Sequence, residues 1–294
     1  MSRKESRIFF HLVMWSAAVQ DERCQQTSGF KRRRPHPTSR TVQRLEVFTV
    51  DDLVAAEVLF QLPDGGDDDD VPFKTISGTP PSAIFAIAKS AEALLSRLVR
   101  WARSIPAFTS YLDSDDQQCL LNSAWLELLL VSLAFRSSNT PESMCGLLLA
   151  SRYFLPLEVA LTHPGLGPIV NQVLDELVAV FRELVADRTE VALMKAIVLF
   201  NSDVSGVCEE TVNLLEDWQD CLSSSLQAYC SKTYDASGPS RFTKLILRLT
   251  SLRSISLRCR QFLASTPSLS EDDDDNQSSL KRLQDLCTYG IWPQ

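Results

Sequence analysis

Apolar residues along most of this chain recur every three or four positions, the spacing that gathers them on one face of a helix. From Ser82 to residue 105, Ile84, Ile87, Ala91, Leu94, Leu98 and Ala102 keep that spacing, which predicts one long amphipathic helix stopped by Pro106. The next helix opens at Ser114, with Gln117 three residues on in a capping-box pattern, and is apolar on nearly every side from Leu120 to Phe135. A second all-round apolar helix spans Val191 to Phe200. Helices with no polar face must be sandwiched between others. Amphipathic faces for that purpose come from Ile169, Val173, Leu177, Phe181 and Leu184, then from Val212, Leu215, Trp218, Leu222, Leu226 and Tyr229. A last long helix begins near Pro239 and presents Phe242, Leu245, Leu249, Leu252, Ser256, Cys259 and Leu263. Asp51 to Leu62 is a shorter candidate, capped by Asp51 or Thr49 and stopped by Pro63 with Gly65 and Gly66. Turn residues between 137 and 165 leave room for only a short strand at Arg152 to Leu155. The pattern predicts an all-α fold, a three-layer antiparallel helical sandwich with at most a short β-hairpin.

The remaining stretches have no such period. Residues 1–46 contain the run Lys31 to Arg34 and read as a flexible basic arm, suited to nuclear import or phosphate contact, or simply a solvated tail. Asp67 to Asp70 and the Pro80-Pro81 pair read as linker. Past Pro267 an acidic run, Glu271 to Asp275, precedes Leu280, Leu283 and Leu286, whose spacing suits either a docked helix or a disordered tail. The expected organisation is therefore an arm over 1–46, a helical body over 47–266 and a terminal segment over 267–294.

Charge sharpens this division. Of 29 basic and 37 acidic residues, the arm holds 10 basic and 4 acidic, so it carries +6 and the rest carries -14. An acidic body argues against a protein that coats nucleic acid with its whole surface. No uninterrupted apolar run reaches the ~18 residues of a membrane span, so neither a membrane partner nor a signal peptide is expected. The 8 cysteines form no C-x-x-C pair and read as reduced core thiols of an intracellular protein.

Catalytic constellations are not found. His11, His36 and His163 lack metal-ligand spacing, no G-x-S-x-G elbow occurs, and Gly165-Leu-Gly167 runs into Pro168 rather than a phosphate-cradling loop. The carboxylates read as solvated runs rather than lone acids on apolar faces. No enzyme and no metal site are expected.

The stretch Arg100-Trp-Ala-Arg-Ser-Ile-Pro-Ala-Phe108, followed by Asp115-Asp-Gln-Gln-Cys-Leu-Leu121, Trp125-Leu-Glu127 and Phe135-Arg-Ser137, resembles the signature of the nuclear receptor ligand-binding domain. Lys195-Ala-Ile-Val-Leu-Phe-Asn201, Leu226-Gln-Ala-Tyr-Cys230, Arg241-Phe-Thr-Lys-Leu-Ile-Leu-Arg-Leu249 and Leu252-Arg-Ser-Ile255 are similar to the retinoid X receptor and ultraspiracle branch. The likeness covers about residues 48–263. Ala18-Val-Gln-Asp-Glu-Arg23 resembles the segment after that branch's second zinc module, whose two sets of four cysteines this sequence does not contain.

The resemblance implies a nuclear transcription regulator that dimerises with another receptor and binds coactivator or corepressor helices. It implies DNA contact only through a zinc-module domain, and control by a hydrophobic ligand such as a retinoid or fatty acid. It makes Arg136 the ligand's polar anchor, puts the backbone of Leu149 and Ala150 opposite, and makes Ile87, Leu133 and Cys259 pocket walls. The bland alternative is that Arg136 meets an internal carboxylate or solvent and that the apolar residues are core. Arg103, Gln117 and Asp285 would meet the coregulator helix, with Asn122 where the branch often has a second basic residue. The terminal activation helix is degenerate at Leu283-Gln-Asp285-Leu-Cys287, which gives weight to a dimerisation or corepressor module without ligand-switched activation. Leu245, Leu249, Leu252 and Arg253 would form the dimer stripe, with Thr250 where the branch commonly has proline.

Overall fold

The structure, a computed structural model, describes residues 48–61, 74–77, 80–150, 153–266 and 274–290. The basic arm, the Asp67 to Asp70 run, His11, His36, Cys24 and Arg152 lie outside the described residues. By its packing the chain divides after Leu45, and Glu46–Gln294 is one compact unit.

Helix α1 (Val50–Gln61) starts where Thr49 Oγ1 accepts from the Asp52 amide at 3.0 Å. Helix α2 (Pro80–Ser104) begins at the proline pair expected to be linker. Proline is tolerated in a first helical turn, because the amide it lacks would be unpaired there anyway. Pro106 likewise opens a helix, α3 (Pro106–Tyr111), after the break at Ile105. Helix α4 (Ser114–Ser138) is capped one residue earlier than expected: Asp113 accepts from the Asp116 amide at 2.8 Å. The Ser114–Gln117 capping box does not form, since the Gln117 amide donates instead to the Leu112 carbonyl at 3.0 Å.

Strands β1 (Lys74–Thr75), β2 (Gly146–Leu148) and β3 (Tyr153–Pro156) form a sheet in the order β1-β3-β2. β2 and β3 make the expected hairpin, but β1 joins β3 in parallel, so the sheet exceeds that expectation by one strand. Gly146 is required there, because a Cβ would lie 2.2 Å from the Leu155 carbonyl oxygen. Helices α5 (Leu157–Leu161) and α6 (Leu166–Val173) follow, then a π-helical turn (Leu174–Val178) and α7 (Ala179–Leu184). Val185 ends α7 in the left-handed region, at φ 48°. Helix α8 (Arg188–Leu199) has the full capping box, Asp187 and Glu190 each accepting the other's amide. Helices α9 (Glu209–Tyr234), α10 (Gly238–Ser265) and α11 (Asp274–Tyr289) complete the body.

The two all-round apolar helices, α4 and α8, pack together as the middle layer. Helices α1 and α2 cover one side, and α9 and α10 cover the other. Helix α4 is long and apolar enough to cross a membrane, yet 67% of its apolar window is buried inside the protein, as its central place requires. Fully buried Trp125, Leu128 and Val131 on α4 and Leu193, Met194 and Leu199 on α8 form the core, each side chain contributing about 1.5–3 kcal/mol by leaving water. Phe200 makes edge-on contacts with Phe48, Phe108 and Trp218 and so ties three segments to the end of α8.

The carboxylates depart most from expectation. Glu57, Glu190, Glu127 and Asp116 are buried, each with a partner from a distant element. Lys195 donates to Glu57 at 2.7 Å, with its ammonium over the rings of Phe60 and Trp101. Arg241 binds Glu190 through Nε and through Nη2, the latter at 2.6 Å, joining α10 to α8. Thr211 donates to Asp116 at 2.6 Å, and Arg253 donates to Glu127 at 2.7 Å. The thiols are also less uniform than expected, because Cys145, Cys208 and Cys221 are exposed.

Candidate functional site

One stripe of each surrounding helix faces a cavity of about 130 Å³ in the body. Helix α2 supplies Ile84, Ile87, Ala88, Ala91 and Leu94, whose spacing follows from the helical period alone. Helix α4 supplies Trp125, Leu126, Leu129, Leu130, Leu133 and Arg136. Leu147 and Leu149 enter from the sheet side, Ile169, Val170 and Val173 from α6, and Cys259, Phe262 and Leu263 from α10. Helix α11 closes the wall with Leu280 and Leu283.

That wall is hydrocarbon almost throughout, and Arg136 is the charged residue in it. Its guanidinium is enclosed by protein, and Nε and Nη2 are buried without a hydrogen-bond partner. Arg136 also lines the cavity. Burial, helped by the nearby charge of Arg97 and opposed by Glu57, lowers the guanidinium pKa to about 10. It remains a cation at neutral pH, and an unpaired one. A planar fork of donors at the edge of an apolar chamber can hold a carboxylate bidentately. Ser90 is the other polar lining residue, and its Oγ accepts from the Ala150 amide at 2.7 Å. Cys259 adds a neutral thiol, pushed up to about 12 by burial and by the neighbouring Cys287.

Five of the six pocket residues expected from sequence, Arg136, Ile87, Leu133, Leu149 and Cys259, are brought together around this cavity. Ala150 is not in the wall, because its backbone is turned to Ser90. The sequence reading did not single out Ser90, Trp125, Leu280 or Leu283 as lining. The leucines were legible as a helical period, whereas Ser90 and Trp125 carry no local sign of which way they face.

Helix α11 is seated by polar contacts as well as by buried Leu280, Leu283 and Leu286. Glu92 on α2 accepts from Ser279 and Arg282, and Gln284 Nε2 donates to the carbonyls of Leu263 at 2.8 Å and Thr266 at 2.9 Å. The terminal leucine pattern is thus a docked helix. Of the expected coregulator residues, Arg103 is exposed in the last turn of α2 and Asp285 is half-buried on α11. Gln117 sits at the start of α4 with its amide committed to Leu112.

The four residues of the expected dimer stripe lie along α10 with different degrees of exposure. Leu245 and Leu252 are fully buried against the body, Leu249 is half-buried, and Arg253 is occupied by Glu127. These positions hold α10 to its own layer. The face that α10 presents outward carries Leu247 and Leu257, 52% and 50% exposed, with Thr250 and Ser254 between them.

Among the described residues no group of three or more His, Cys, Asp or Glu could hold a metal ion. Residues 80–265 match the family described as the ligand-binding domain of nuclear hormone receptor. The Retinoic acid receptor RXR of Biomphalaria glabrata is 38% identical over 177 residues, which is 60% of this chain and 39% of that relative.

Proposed function

Because the chain belongs to the nuclear hormone receptor ligand-binding domain family, we propose that its helical body is the ligand-responsive and dimerising part of a nuclear transcription regulator of the retinoid X receptor type. Its ligand is a small apolar carboxylic acid, of the retinoid or fatty-acid class, lying in the cavity with its anion on Arg136. The observation that carries this is the unpartnered guanidinium in an otherwise hydrocarbon chamber. A buried cation with no partner is costly, and a bound carboxylate removes that cost. The partner is a second receptor domain packed on the outward face of α10 around Leu247 and Leu257. Coregulator helices of the L-x-x-L-L type lie between Arg103 and α11, the basic side chain at one end and Asp285 at the other. DNA contact is the task of a zinc-module domain.

Native mass spectrometry of the chain with and without a fatty acid, alone and mixed with a partner ligand-binding domain, tests both parts. A bound acid that is lost in Arg136→Leu, and a dimer that is lost in Leu247→Glu, are expected. Retention of the acid by Arg136→Leu would refute the anchor.

The seating of α11 favours a second reading, a dimerisation and corepressor-binding module without ligand-switched activation. The contacts of Glu92 with Ser279 and Arg282, those of Gln284 with the carbonyls of Leu263 and Thr266, and three buried leucines all favour the seated position of that helix without involving the cavity's polar end. Coregulator-peptide affinity that is unchanged between delipidated and fatty-acid-loaded protein supports this version.

A further inference from the structure

Two half-buried cysteines stand on neighbouring helices that share the cavity wall, Cys259 on α10 and Cys287 on α11. Three contacts fix how these helices run past each other. Gln284 donates to the carbonyls of Leu263 and Thr266 at the end of α10. Further along α11, a Cβ added at Gly290 would lie 2.7 Å from the side-chain nitrogen of Asn122. The Asn122 carbonyl in turn accepts from Arg260 at 3.3 Å. From Gln284 to Gly290 the chain therefore runs back beside α10 from Thr266 and Leu263 towards Arg260, antiparallel to it.

Cys287 falls between those two anchor points, and Cys259 is next to Arg260. Cys287 is also one turn beyond Leu283, and Cys259 one turn before Leu263, so each thiol shares a helix face with a leucine of the cavity wall. Both side chains pack against the core. The two sulfurs act on each other through space. Burial pushes the Cys259 thiol up to about 12, and the Cys287 sulfur adds to that rise, while the Arg260 guanidinium opposes it at both cysteines. A guanidinium beside the pair favours the thiolate, the form that reacts.

We propose that Cys259 and Cys287 form an oxidisable dithiol, a modification site at which a hydroperoxide joins α11 covalently to α10. The Cys287 thiolate attacks one peroxide oxygen and the O–O bond breaks, which leaves a sulfenic acid and releases an alcohol, or water from hydrogen peroxide. The Cys259 thiolate then attacks that sulfur, the S–S bond forms and the sulfenic oxygen departs as water. Two thiols and one hydroperoxide thus give one disulfide, one alcohol and one water, the two sulfurs supplying the two electrons that reduce the peroxide. A disulfide asks for Cα atoms about 5.5–6 Å apart, a separation that facing turns of packed helices reach. The bond adds a covalent tie to the contacts that Glu92 and Gln284 make with α11, and a thiol reductant removes it. This holds whatever the cavity contains.

The test takes the full chain, reduces it, removes the reductant and exposes it to hydrogen peroxide before alkylation and digestion. Mass spectrometry is expected to show a peptide pair linked through Cys259 and Cys287 that dithiothreitol separates. Hydrogen exchange over residues 278–289 is expected to slow by about tenfold or more in the oxidised chain and to recover with dithiothreitol, a comparison that needs no variant. In Cys287→Ser, peroxide should leave that exchange unchanged. Absence of the linked pair, whether both thiols survive, join other cysteines or go on to sulfinic acids, overturns the proposal. A linked pair whose α11 still exchanges at the reduced rate overturns it as well.

Discussion

Replacing Glu57 by glutamine preserves its shape while stripping the charge from a pair that sits entirely out of water. Lys195 and Glu57 are both 0% exposed, 2.7 Å apart, and come from helices on different layers. An ammonium left in that place keeps the faces of Phe60 and Trp101, at 3.7 Å and 4.3 Å, which do not replace a carboxylate. Removing one partner of a buried pair costs about 3–5 kcal/mol, and the glutamine oxygen, still able to accept, puts this substitution at about 3 kcal/mol. For a domain of this size that lowers Tm by roughly 6–12 °C. The penalty also depends on pH. Burial already lowers the pKa of Lys195, and Glu57 opposes that shift, so the substitution lowers it further. Between the folded pKa and the ordinary value of 10.5, the unfolded chain binds more protons than the folded one, and stability rises with pH there. Urea unfolding at pH 7 and at pH 9.5 should therefore show the deficit of Glu57→Gln shrinking at the higher pH. The pair Glu57→Gln with Lys195→Met should lose less than the two single changes summed. A deficit below about 1 kcal/mol at pH 7, or one that does not shrink with pH, would refute the reasoning.

Four further outcomes follow from the same geometry. Arg136→Leu removes an unpaired buried cation, so the ligand-free protein should gain about 1–3 kcal/mol in urea unfolding while its affinity for carboxylic acids disappears. Val185 holds a left-handed conformation and is 79% exposed, so Val185→Gly relieves strain without losing packing and should raise stability by about 1 kcal/mol. Glu92→Ala cuts the ties to Ser279 and Arg282, and hydrogen exchange should quicken over residues 278–289 while α8 is unchanged. Iodoacetamide at pH 8 should label exposed Cys145, Cys208 and Cys221 first, with Cys230 and Cys259 protected, since burial pushes both of those thiols up to about 12; peptide mass spectrometry reads the order.

Helical periodicity made the layers legible, because α4 and α8 lack a polar face and have no stable place except between other helices. The same periodicity placed Ile87 and Leu133 towards a common interior, and the resemblance carried by Trp125 to Ser137 marked Arg136 for attention. What the chain did not reveal by itself were the pairings. Glu57 lies 138 residues from Lys195 and Glu190 lies 51 from Arg241, so neither acid shows its partner in local sequence. The faces of α10 were hidden for a related reason: Leu245, Leu247, Leu252 and Leu257 are chemically alike, and only the packing of α10 against the body decides which two face inward. The terminal leucines could suit a docked or a free segment until α2 and α10 supplied the surface they fill. Period and chemistry are local properties, and they determined which segments are helices and which faces are apolar. Burial, charge pairing and an apolar cavity beside the buried Arg136 guanidinium arise from elements distant in sequence, and only the tertiary structure decided those.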